Sequence, residues 1–491
     1  MVAVEGRPGP TGSTTAEGST TAETRRLDAV DWQRLAPYAL AVGFFLVYAT
    51  VSLARLHREA TLSWDVAIFE QAISGYAHLG APIADVKGPG YNVLGLHFSP
   101  ALAVFAPFYR LFPGPSTLLI GQALLVAGSV GVIARAAIRY VGGLAGIVIG
   151  IAYGLSWGIQ SGIDFDFHEV CLAMPLLALA GAAYLARDWR MVAVWSLPLL
   201  LVKEDFGLTI AALGICLVIC GARRWGVGLI LSGAIGFVVS VFVLIPMANP
   251  EGSSEFWGNY GSAEGGGAGG VVDRILSAPE QLFTPGVKIE TLLLLLAITG
   301  ALALRSPFVI VAAPTILWRF LSDNPSYWGT GWHYSMILMP IMFIALIDGI
   351  VRAREDQWAW LRSYASHTPA VVGAVALVLC LQFPFRALVQ PETYESAPRA
   401  AVAEQVMDKI PDGASVETDL GLLTELVADH TVYWIGSDNS SVTPDYVLID
   451  AWSGWGGGAP NAAEHAMAMH PGTTYRVVFS RDGYELARHV G

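Results

Sequence analysis

Charge is what this 491-residue chain has least of: Asp, Glu, Lys and Arg make up 14% of it, against 54% hydrophobic residues and a mean hydropathy of +0.53. That balance excludes an ordinary soluble enzyme and reads as an α-helical polytopic membrane protein. Lys and Arg number 28 against 40 acids, a net charge of -12, and no basic stripe occurs. A nucleic-acid partner is therefore excluded, because phosphate backbones are held by clustered cations. Cysteine is scarce too. Cys171, Cys216, Cys220 and Cys380 all lie inside apolar runs, which excludes a disulfide framework and a zinc-ligand spacing. They read as small packing residues. The stretch from Met1 to about Arg26 lacks any apolar core and is rich in Gly, Ser, Thr and Glu. It reads as a disordered cytoplasmic tail over residues 1–30, not as a signal peptide. No internal repeat is visible.

What is present is a series of apolar runs. A membrane-crossing helix needs about 20 apolar residues, and eleven runs approach that length. They are Pro37–Leu56, Ser116–Ile138, Gly142–Gln160, Val170–Ala186, Met191–Val202, Phe206–Gly221, Gly226–Ala248, Ile289–Leu304, Pro307–Leu321, Tyr334–Val351 and Thr368–Phe385. A further run, Phe98–Phe112, carries Pro100 and Pro107 and would rise only about 22 Å as a helix. If it does not cross, Arg135, Arg139, Arg187, Arg190, Arg223, Arg224, Arg305, Arg352 and Arg354 all fall on the cytoplasmic side, as the positive-inside rule requires. The run is therefore expected to be re-entrant or interfacial. The outer face then receives the loop 57–115, a Gly-rich loop 249–288 and the tail 387–491. In that tail Arg399–Lys409 reads as an amphipathic helix and Pro411-Asp412-Gly413 as a turn. Ala414–Glu417, Thr431–Ile435, Tyr446–Ile449, Tyr475–Phe479 and Tyr484–Leu486 read as strands of a small α/β domain. Trp452–Gly458 and Glu251–Gly270 are Gly-rich loops.

With this topology the unusual polar residues converge on the outer side. Trp64-Asp65 opens an amphipathic helical run, where Asp65 serves either as an N-cap or as a reactive carboxylate. In Asp164-Phe165-Asp166-Phe167-His168-Glu169, an extended chain puts Asp164, Asp166 and His168 on one face. Those donors, with Glu169 beside them, suit a divalent cation such as Mg or Mn; a solvated acidic loop is the alternative. Lys203-Glu204-Asp205 lies between two apolar runs, where ionised groups need partners or a watery cavity. It is either a tight helix–helix turn or a site in which Lys203 meets a phosphate and Glu204 or Asp205 faces the acid cluster. The aromatic loop Trp318, Arg319, Tyr327, Trp328, Trp332, His333, Tyr334 is largely an interfacial belt, but Arg319 and His333 are candidate substrate contacts. His97, in Gly95-Leu96-His97-Phe98-Ser99-Pro100, either anchors that turn or binds substrate.

The order of these features resembles membrane glycosyltransferases of the GT-C fold. Within them it looks most like the bacterial membrane proteins grouped as domain of unknown function 2079. The residues carrying the resemblance are Trp64-Asp65 with Phe69-Glu70-Gln71, His97-Phe98-Ser99-Pro100, Asp164 to Glu169 and Lys203-Glu204-Asp205. It implies a GT-C-like transmembrane domain over residues 31–386 in the bacterial plasma membrane, with a cytoplasmic N-terminus and an extracytoplasmic C-terminal domain. It also implies sugar transfer from a polyprenyl-phosphate donor to a cell-envelope acceptor, with Asp65 as the base. Relatives that hold a divalent metal between first-loop and second-loop acids would match Asp65 with Asp164 and Asp166. Val66 and Ala67 follow Asp65 here, so no second acid flanks it, a departure from those patterns. Two other readings stay open: a lipid or solute transporter or flippase, and a non-catalytic membrane protein of the same fold.

Overall fold

The structure is a computed structural model that describes residues 20–61, 64–249, 252 and 280–491. Its first ten main helices are α1 (Thr20–His57), α2 (Trp64–Ala77), α3 (Ala106–Leu111), α4 (Pro115–Tyr140), α5 (Gly143–Gly154), α6 (Trp157–Asp164), α7 (Ala173–Leu185), α8 (Trp189–Ser196), α9 (Phe206–Ile219) and α10 (Arg223–Val239). Helix α1 already begins at Thr20, inside the stretch expected to be an unstructured tail. The rest of that tail, and all of the Gly-rich 249–288 loop between residues 250 and 279 except Gly252, lie outside the described residues.

Among the described residues five helices are long and apolar enough to cross a membrane: Trp32–His57, Pro115–Tyr140, Gly143–Asp164, Arg223–Ala248 and Ala359–Cys380. Each coincides with one of the eleven expected runs. Two others are interrupted where proline lacks the backbone N–H that would continue the α-helical ladder. Thus α8 gives way to a 3-10 turn, Leu197–Leu201, and Pro307–Ala312 is a 3-10 turn ahead of the helix Ala313–Leu321. Glycines let α9 and α10 touch along their backbones, as membrane helices do when lipid offers no hydrophobic drive. A Cβ on Gly214 would sit 2.6 Å from the Gly226 carbonyl oxygen. This close crossing fixes where the 203–205 turn emerges.

The Phe98–Phe112 run forms a 3-10 turn, Pro100–Phe105, followed by α3, six residues each. Both press on α2, where Tyr109 Oη donates to Glu70 Oε1 at 2.9 Å. Helix α2 is buried on two sides rather than one. Val66, Phe69 and Ile73 join the membrane-domain core, while Ala67, Ile68 and Ala72 share a second core with Val402, Val432 and Leu486.

That second core belongs to a five-stranded sheet: β1 (Ser415–Thr418), β2 (Thr431–Trp434), β3 (Tyr446–Asp450), β4 (Tyr475–Arg481) and β5 (Tyr484–His489). The order is β2-β1-β3-β5-β4, with β2, β1 and β3 parallel and β5 and β4 antiparallel. All five strands arise where alternating apolar residues predict them, and Gly413 takes φ 77° in the predicted turn. The carboxyl end of β2 docks on α2: Trp434 meets Trp64 edge-on at 4.8 Å, and Gln71 Nε2 donates to the Val432 carbonyl at 2.9 Å.

Candidate functional site

Beside that docking point a cavity of about 490 Å³ opens between the first turn of α2, the 96–97 turn, the 203–205 turn and the aromatic loop. Asp65 reaches it from the start of α2, and Lys203, Glu204 and Asp205 from the turn ahead of α9. Together with His97, His168 and His333, seven of the eleven residues singled out in the sequence line this one space.

Lys203 Nζ lies 3.0 Å from Glu169 Oε1, and Glu169 Oε2 lies 2.6 Å from His168 Nδ1. Burial alone would lower the lysine's pKa, but Glu169, Asp205 and Glu204 hold it above its usual range, so Lys203 stays charged. The His168 ring stacks on His333 at 3.4 Å and 21°. Burial first, then its neighbours His168 and Lys203, hold His333 well below the usual histidine value. Glu204 accepts the Phe98 N–H at 3.0 Å and lies 2.8 Å from His97 Nδ1, so it pins the turn that closes the cavity. Burial pushes its carboxyl up, yet the His97 pair outweighs this and leaves Glu204 below its ordinary value. Asp205 differs. Its buried Oδ1 has no hydrogen-bond partner, and burial pushes its pKa up to about 6 against the pull of Lys203. Asp65 is raised as well, first by burial and then by Glu169, while His168 and Lys203 oppose the shift.

Four expected residues lie elsewhere. Arg319 is fully buried, and its guanidinium donates to the Tyr327 carbonyl (2.7 Å), the Gly329 carbonyl (2.8 Å) and Ser335 Oγ (3.0 Å). Its donors brace the aromatic loop, and it does not line the main cavity in which a substrate contact was expected. Asp164 and Asp166 both pair with Arg55, at 3.1 and 3.3 Å, and line a separate cavity of about 450 Å³. Glu169 stays behind Lys203, wholly buried.

The 164–169 run is not extended, which corrects the expected common face. Helix α6 continues to Asp164, and Asp166 takes φ 77°, turning the chain so that acids and His168 face different cavities. Gln122 clamps this turn, donating to the Asp166 carbonyl and accepting the His168 N–H. The four expected metal ligands are thus divided between Arg55 and Lys203. Among the described residues no group of three or more His, Cys, Asp or Glu is arranged to hold a metal ion, so these residues do not fit the expected Mg or Mn.

Lys87 was missed. It lines the main cavity, with Nζ 5.1 Å from the Trp64 ring and 5.5 Å from the Tyr91 ring. The signal lay in the composition: the chain has only four lysines, Lys87, Lys203, Lys288 and Lys409, and two of them meet here. Asn324 of the aromatic loop was missed also; nothing in its sequence neighbourhood marks it.

A family model for predicted membrane proteins, DUF2079, matches residues 57–486. The chain belongs to that family. No curated protein sequence matches it. Among solved structures this DUF2079 protein is similar to ArnT from Cupriavidus metallidurans bound to undecaprenyl phosphate. The TM-score is 0.56 at 15% identity, covering 93% of this chain and 98% of that one. The apo state of the same ArnT gives 0.51 at 15% identity, covering 91% and 98%. ArnT is a GT-C fold glycosyltransferase. The likeness shows that the DUF2079 chain has this membrane fold, helices and small C-terminal sheet together.

Proposed function

We propose that this protein is a membrane glycosyltransferase that moves a sugar from a polyprenyl-phosphate donor to a hydroxyl of a cell-envelope acceptor. The observation that carries the reading is the meeting of Asp65 with Lys87 and Lys203 in one cavity. The undecaprenyl phosphate bound to the ArnT neighbour supports a lipid phosphate as the ligand class.

Three physical demands are met by residues of this chain. A carboxylate must take the acceptor proton, and a raised pKa makes Asp65 a stronger base at neutral pH. As the acceptor oxygen bonds the anomeric carbon, the bond from that carbon to the phosphate oxygen breaks and its electron pair leaves with the phosphate. Lys203, kept charged by its acids, and Lys87 supply the positive field for that charge. A lipid needs an apolar wall, which Ile68, Phe69, Leu96 and Trp318 offer. Asp205, with an unbonded oxygen at the wall, is placed to accept from a sugar hydroxyl. His97 and Glu204 hold the closing turn, and His333 stacks behind His168.

The test is reconstituted protein supplied with a panel of polyprenyl-phosphate pentoses and hexoses, read as release of free polyprenyl phosphate. Asp65→Asn should lower release by about 10²- to 10⁴-fold, the usual worth of a general base, without lowering the melting temperature. Sugar-lipid translocation with no bond cleavage would replace this reading with a flippase. Full biological function in both Asp65→Asn and Lys203→Ala would replace it with a non-catalytic role.

A further inference from the structure

Helices α7, α9 and Leu338–Arg354 all start near the main cavity and run away from it. Their far ends enclose a second polar space of about 310 Å³, lined by Tyr184, Arg187, Trp189, Cys220, Asp348 and Arg352 among others. At 1.5 Å rise per residue it lies roughly 20 Å from the catalytic candidates, so it is no part of that site.

Its acid is neutralised internally. Asp348 Oδ2 accepts from Tyr184 Oη (3.1 Å), Ser306 Oγ (2.6 Å) and Arg352 Nε (2.8 Å). Of the Asp and Arg side chains lining the space, Arg352 pairs with Asp348 and Arg187 is the cation left over.

Arg187 sits where its residue type is unfavourable. It follows the end of α7 with φ 55°, the left-handed region that costs a side-chain-bearing residue and favours glycine. The next hairpin shows the alternative. After α9 the same pair of backbone hydrogen bonds recurs, Arg187 N to Tyr184 O and Asp188 N to Ala183 O matching Gly221 N to Val218 O and Ala222 N to Leu217 O. There the left-handed residue is Gly221, φ 87°. Arg187 therefore keeps an arginine at a glycine position, and the cation it supplies lines a cavity.

We infer that this space binds the phosphate of an anionic phospholipid from the leaflet opposite the C-terminal domain. A guanidinium offers a planar pair of donors that fits phosphate oxygens bidentately. Basic pockets between membrane helices suit lipid head groups, and the Trp189 indole suits the interface. The wall continues as Leu185 and Ile219, and Ile219 is 56% exposed on an apolar helix, a surface for an acyl chain. That apolar rim distinguishes a lipid from free phosphate. The assignment stands independently of the proposed reaction.

The deciding variant is Arg187→Gly, which removes the cation while giving the left-handed position the residue it favours, so it should fold at least as well as the parent. Protein would be placed in nanodiscs of phosphatidylcholine with a minor fraction of phosphatidylglycerol, and lipids retained after extraction counted by native mass spectrometry. One cation near a surface corresponds to about a fivefold preference for anionic lipid. Wild type should enrich phosphatidylglycerol by at least that ratio. Arg187→Gly should lose the enrichment while melting no lower in pure phosphatidylcholine, and Arg224→Ala, which does not line the space, should keep it. Undiminished enrichment in Arg187→Gly overturns the inference. Equal loss in both variants also overturns it, since that marks diffuse surface attraction. Inorganic phosphate raising the melting temperature in pure phosphatidylcholine as much as phosphatidylglycerol does would reassign the space to a soluble anion.

Discussion

Asp205 is the acid in the main cavity whose cost is easiest to read. Its ordinary value is 3.8 and its folded value about 6, because burial outweighs Lys203. Between those values the folded state holds a proton that the unfolded chain has released. The associated stability is fully present below about pH 4 and is lost as pH rises through 6. Asp205→Asn removes the titration. It should therefore unfold like wild type near pH 4 but be more stable at pH 8, by on the order of 2 to 3 kcal/mol. Thermal unfolding in detergent at both pH values checks this; a less stable variant at pH 8 would mean that attraction to Lys203 dominates. Lys203 should behave oppositely. Lys203→Met leaves Glu169 buried with one cation fewer, a loss of about 3 to 5 kcal/mol, and adding Glu169→Gln should recover most of it in denaturant titrations. Both residues were legible in the sequence because charge between apolar runs needs a reason. Arg319 gave the same signal and a different answer. Whether a buried cation faces a ligand or three loop acceptors depends on long-range geometry that residue type does not encode.

At the scale of elements, regular pieces were legible and exceptions were not. The five strands and α2 follow from apolar periodicity and turn residues. The 164–169 run alternates as a strand would, yet one left-handed residue, Asp166, and the Gln122 clamp from α4 redirect it. No local pattern announces either. The aromatic loop depends likewise on a partner within its own hairpin. Arg319 bonds three separated acceptors, which a lysine's single ammonium cannot reach together. Arg319→Lys should therefore loosen residues 322–335 by about 3 kcal/mol and expose them to limited proteolysis. Because Tyr327 and Tyr334 line the main cavity, release of polyprenyl phosphate should fall in parallel. A loop as resistant to protease as the parent's would remove Arg319 from its bracing role.

For the whole molecule, composition alone marked a membrane protein, and the order of motifs marked the GT-C resemblance that the ArnT likeness bears out as a fold. The meeting of α2 with the C-terminal sheet was not legible, since a helix buried on both sides reads as amphipathic when only one core is in view. The arginines suggest an orientation. Helices α7, α9 and Leu338–Arg354 run from the main cavity to ends marked by Arg187, Arg223 and Arg352. On the positive-inside rule we propose that those ends face the cytoplasm and that the cavity, with the C-terminal sheet, faces outside. With the four native cysteines replaced by alanine, Ser440→Cys on the exposed surface of the C-terminal domain should react with a membrane-impermeant maleimide in intact cells. Arg224→Cys should react only after permeabilisation. The reverse pattern would put Asp65, Lys87 and Lys203 on the cytoplasmic side, where soluble nucleotide sugars are at hand, and the case for a lipid-linked donor would lose its physical ground.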